Sequence, residues 1–153
     1  MPRPARPGAP RPPRPPAAFT RQGGPQYHVI TGQMEWYALT DGSHAWNVTA
    51  AKRLVADGRP TNGDFDVLAT AQRSSEADWA AVLSPEQRQW AVAHADLSQP
   101  ILVVYAPFAV QPGEHPYIVI DGWHRIWRAT VDHVALLEAH VLLEDEERQV
   151  RLW

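Results

Sequence analysis

The stretch that most limits how this chain can fold is Tyr117-Ile118-Val119-Ile120-Asp121-Gly122-Trp123-His124-Arg125-Ile126-Trp127-Arg128-Ala129. Tyr-Ile-Val-Ile is an apolar, β-branched run of the kind that a strand covered on both faces requires. Asp121-Gly122 is a turn pair: the carboxylate can cap a following helix, and glycine tolerates the backbone angles of the bend. Beyond it Ile126, Ala129, Thr130 and His133 recur at i, i+3, i+4, i+7, one face of a helix. A buried strand turning directly into a helix predicts an α/β chain: one small mixed sheet flanked by helices.

The chemistry of this stretch follows from its geometry. The first turn of a helix has free backbone N–H groups and the positive end of the helix dipole, so it attracts anions. Gly122 lets an anion come close, and His124 and Arg125 add side-chain donors, the guanidinium as a fork suited to phosphate oxygens. Arg128 stands one turn beyond His124 and can point the same way. The pattern therefore predicts a phosphate-binding turn. The alternative on the same residues is an Asp-capped helix whose His and Arg face water.

Ile120-Asp121-Gly122-Trp123-His124-Arg125, followed by Ala129 and a strand, resembles the Asp-Gly-x-His-Arg signature of the ParB/sulfiredoxin superfamily. Pro100-Ile101-Leu102-Val103-Val104 looks like that family's Pro-Ile-x-Val strand, and the likeness covers roughly residues 84–143. The resemblance implies a turn that grips nucleotide phosphates, with ATP or CTP as the ligand and Mg²⁺ as its companion. On that basis Gly122, Trp123, His124, Arg125 and Arg128 are the candidate nucleotide-binding residues. Asp121, His124 and Glu35 are the candidate catalytic residues, with Asp64 and Asp66 as alternative general bases.

The departures from the family narrow the chemistry. Sulfiredoxins attack with a cysteine in a Gly-Cys-His-Arg turn; here Trp123 holds that position and the chain has no cysteine, which excludes sulfinic-acid reduction. About ten residues follow the last expected strand, too few for a helix-turn-helix, so no DNA-binding domain is expected even if DNA is touched. The superfamily's free-serine kinases carry Asp-Gly-His-x-Arg, whereas here the histidine is shifted by one residue. The histidines show no HxH or HxxxH spacing, so no metal site is predicted from them.

Composition sets the frame. The 153 residues, 44% hydrophobic and 20% charged, suffice for one domain with a real core. Without cysteine there are no disulfides, and no apolar run approaches a membrane span, so the cytoplasm is the expected compartment. Lys52 is the one lysine against thirteen arginines, which reads as compositional bias. Residues 1–25 hold nine of the fifteen prolines, five arginines and no acidic residue. Repeated proline removes backbone donors, so a disordered or polyproline-like tail is expected there, with the domain over 26–153. The tail carries +5 and leaves −8 to the remainder of a net −3.

Other elements follow from local signals. Met34, Trp36, Ala38 and Thr40 alternate with Glu35, Tyr37 and Leu39 as a first strand, ended by Asp41-Gly42-Ser43. Asn47 is placed to cap a helix from Val48 to about Ala56. Residues 57–66 read as a polar loop. Ser74 or Ser75 caps a helix from about Ser75 to Leu83, and Ser84-Pro85-Glu86-Gln87 is a capping box for another to about His94. This 67–97 region exceeds the compact family pattern and is placed to cover or extend the site. Ala135 to Leu143 alternate as a strand, and Glu144 to Glu147 open an acidic final helix. Trp123 and Trp127 share a helix face, fit either to stack on a base or to pack on the sheet.

The expected function is nucleotide binding, with phosphoryl transfer or NTP hydrolysis as the fitting reaction, because that chemistry needs positioning more than a covalent nucleophile. The alternatives are a non-catalytic module gripping a protein or nucleic-acid partner, and a nuclease.

Overall fold

In the computed structural model, residues 26–31, 34–39 and 41–153 are described, the first group by backbone alone. The expected tail over 1–25 and Thr40 lie outside them. The strands are β1 (Gln26–Thr31), β2 (Met34–Leu39), β3 (Ala45–Asn47), β4 (Gly63–Asp66), β5 (Ile101–Tyr105), β6 (Tyr117–Asp121) and β7 (Leu136–Leu142). The helices are α1 (Val48–Leu54), α2 (Val67–Arg73), α3 (Glu76–Val82), α4 (Pro85–His94), α5 (Trp123–Val131) and α6 (Glu144–Val150).

The class is mixed α/β, as the signature stretch predicts. The strands form two sheets: an antiparallel β1-β2-β3 meander and a four-stranded sheet of order β4-β7-β5-β6. In the second sheet β5 and β7 run parallel, and the other neighbours are antiparallel. Ile101, Leu102, Val103 and Val104 of central β5 are all buried, which accounts for an unbroken apolar run. Leu102, Val104, Ile118, Ile120 and Leu142 face a core shared with Tyr37, Trp46, Val48, Ala51 and Val150. Val103, Val119, Leu137 and Ala139 face the opposite core, closed by Ile126 and Ala129 of α5, Trp79 of α3 and Val67 of α2. The four-stranded sheet is thus the middle layer, with helices on one face and the meander, α1 and α6 on the other.

Local chemistry explains the ends of these elements. Asn47 accepts from the Ala50 amide at 2.9 Å and caps α1. Ser75 and Ser84 head capping boxes with Asp78 and Gln87. The polar loop expected over 57–66 is overturned in its second half: residues 63–66 pair with β7 as an edge strand. Asp66 then caps α2, its Oδ1 accepting from the Ala69 amide at 2.9 Å. Asp64 lies on the same edge strand, where with Asp66, Val119 and Trp123 it lines a cleft of about 670 Å³.

Candidate functional site

The signature stretch forms as expected, β6 running through Gly122 into α5. A bulge between Leu102 and Val103 sets Leu102 opposite Asp121 but Val103 opposite Val119. Strict alternation would give Asp121 the helix-covered face of Val119; the extra residue re-aims it toward α1. There its carboxylate accepts from Arg125 Nη2 at 2.9 Å and lies 3.9 Å from Lys52 Nζ. Lys52 also reaches the Glu35 carboxylate at 3.3 Å. Glu35 and Asp121, two candidate catalytic carboxylates far apart in sequence, therefore meet at the chain's one lysine.

Several assigned roles change. Asp121 does not cap α5: Gly122 is the N-cap residue and no side chain caps it. Gly122 has φ +119°, and a Cβ built there would stand 2.5 Å from Ile101 Cγ2. Glycine is demanded by a left-handed turn packed on β5, and no ligand is needed to explain it. Arg125 is a strut. Its Nη1 donates to the carbonyls of Gln99 (3.1 Å) and Pro100 while Nη2 holds Asp121. Arg128 donates to the Ala95 carbonyl at 2.6 Å and pairs with Asp132 at 3.3 Å. Both guanidinium groups are thus engaged by neighbours within the chain. Trp123 and Trp127 pack edge-on against Trp79, with ring centroids 5.9 and 4.9 Å away. Trp123 and Arg128 stand outside the cleft described next.

That cleft, of about 570 Å³, opens where α1, α4, the 95–100 loop, β6 and the start of α5 converge. Lys52, Trp90, His94, Asp121, His124 and His140 line it. Trp90 is 53% exposed and stands edge-on to the His124 ring at 5.3 Å, with the His94 ring 5.5 Å away. Lys52 is half exposed, while Asp121 and Arg125 keep only 17% of their side chains in solvent. The helical 67–97 region contributes a wall of the cleft through α4. His140 is buried, paired in register with Leu102. Burial pushes its imidazole below the ordinary histidine range, and the nearby Arg59 charge adds to the shift.

Of the candidate residues, Asp121, His124 and Arg125 line the cleft and Glu35 adjoins it through Lys52. Sequence reasoning did not assign Lys52, Trp90, His94 or His140 to the site. Only the singularity of Lys52 signalled it. No helix among the described residues is long and apolar enough to cross a membrane. No family model, curated protein or solved structure matches this chain.

Proposed function

We propose that the cleft binds a nucleotide, with its phosphates between Lys52, His124 and the first-turn amides of α5. The observation that carries this reading is the convergence of Lys52, Trp90, His94 and His124 on one cleft beside the Asp-Gly-x-His-Arg turn. The volume lies within the range of small-molecule sites, which is roughly 300–1,000 Å³. Lys52 presents a compact point charge suited to a phosphate oxygen, and half of its surface is open to a ligand. The resemblance to the ParB/sulfiredoxin superfamily points to the same ligand class. Mg²⁺ does not fit as a resident ion: the Asp121 carboxylate is flanked by two cations. Among the described residues no group of three or more His, Asp or Glu is placed to hold a metal. Binding is therefore the proposed activity, and no reaction step is assigned.

Calorimetric titration of the full chain with ATP, CTP, GTP and ADP, with and without Mg²⁺, tests the reading. Lys52→Ala is the informative variant, because an exposed ion pair contributes only about 0–1 kcal/mol to folding. Binding that Lys52→Ala weakens at least tenfold, with its unfolding midpoint unmoved, is the expected result. A folded wild-type protein that binds none of the four nucleotides would overturn it.

A further inference from the structure

We infer that His140 reads the base edge of the nucleotide, an inference that rests on the cleft being a nucleotide site. Three observations support it. His140 lines the cleft, and the residue is only 7% exposed. Its Nδ1 is fully buried and makes no hydrogen bond among the described residues. Buried polar atoms are nearly always satisfied, so an unpaired one on a cleft-lining residue marks a place where a ligand atom belongs.

The setting selects the ligand part. His140 and Asp121 flank Leu102 on three adjacent strands, which places their backbones about 10 Å apart at roughly 4.8 Å per strand. Lys52 sits at the Asp121 side, and Leu102, between Asp121 and His140, supplies apolar surface. The exposed cation of the cleft thus lies at its Asp121 end. A nucleotide carries its anionic phosphates at one end and a flat uncharged base at the other. Burial and the Arg59 charge both favour the neutral imidazole, and Glu138 opposes them more weakly. A neutral imidazole offers one donor and one acceptor, the complement of a base edge. It has no charge with which to compete for phosphate.

The experiment compares two probes on the full chain: a nucleoside triphosphate and inorganic tripolyphosphate. His140→Leu removes both ring nitrogens and keeps apolar bulk. His140→Asn keeps a hydrogen-bonding group near the Nδ1 position. Expected is a loss of more than tenfold in nucleotide affinity for His140→Leu, substantial recovery in His140→Asn, and tripolyphosphate affinity unchanged in both. In wild-type protein the His140 ring-nitrogen NMR signals should shift with nucleotide and stay still with tripolyphosphate. Equal losses for both probes, or ring signals unmoved at saturating nucleotide, overturn the role of His140 while the phosphate site stands. Absence of binding by either probe overturns the site itself.

Discussion

Replacing Arg125 by alanine should destabilise this protein as a whole, beyond any effect on ligand chemistry. The guanidinium holds three acceptors: the carbonyls of Gln99 and Pro100, which fix the loop entering β5, and the Asp121 carboxylate at the end of β6. Hydrogen bonds to charged groups contribute about 1.5–3 kcal/mol each, and removing one partner of a buried pair costs about 3–5 kcal/mol. The terms overlap, and Lys52 stays 3.9 Å from Asp121, so the sum is not reached. A loss of about 2–4 kcal/mol follows. Urea unfolding followed by tryptophan fluorescence reads it directly, since seven tryptophans report on the packing. At a slope of roughly 2 kcal/mol per molar the midpoint should fall by about 1–2 M with the slope unchanged. Arg125→Lys should recover less than half, because one ammonium cannot span three acceptors. An Arg125→Ala variant within about 1 kcal/mol of wild type, yet unable to bind nucleotide, would refute the strut and restore the phosphate grip.

Other perturbations have equally definite outcomes. Gly122→Ala forces a side chain into positive φ and against Ile101; left-handed strain of about 1–2 kcal/mol and overpacking of about 1–3 kcal/mol should together cost about 2–5 kcal/mol in the same assay. Buried Glu147 accepts from the Trp46 indole at 2.9 Å and pairs with Arg151 at 2.9 Å, so Glu147→Ala should cost about 3–5 kcal/mol by denaturant titration. His140 and His44 both have lowered pKa values in the folded state, chiefly through burial. Below the ordinary histidine pKa of about 6.5 the unfolded chain binds protons that the folded chain resists. Stability should therefore be full above that pH and decline as pH falls below it, and His140→Asn should flatten part of the decline in unfolding midpoints taken at successive pH values.

Much of the scaffold is legible where local chemistry decides it. Asn47, Ser75 and Ser84 announce their helices because a cap is a bond between neighbours in sequence. The β5 and β6 runs are legible because burial on both faces leaves only apolar residues. By contrast β4 has four residues, Gly-Asp-Phe-Asp, of turn-like composition; only its pairing with β7 makes it a strand. Helix α2 escapes notice because its cap, Asp66, ends that unread strand. At the site, Asp121 and His124 are found by their motif. The role of Arg125 is not, because its partners at Gln99 and Pro100 are backbone carbonyls, which no side-chain pattern reveals. The re-aiming of Asp121 depends on a bulge, which arises from pairing between strands.

The position of Lys52 has a practical consequence. Since it is the chain's one lysine, amine-directed reagents have a single side-chain target, and it lies in the cleft. Coupling the protein to a sensor surface through amines would tether it through either the α-amine or the cleft, and a weakened sensorgram would then report the chemistry of attachment. Reductive methylation with ¹³C-formaldehyde turns the same fact to advantage, since it preserves the positive charge and marks one ε-amine. The spectrum of such a sample carries a single side-chain line, placed between Glu35 and Asp121, where an arriving phosphate would be felt first.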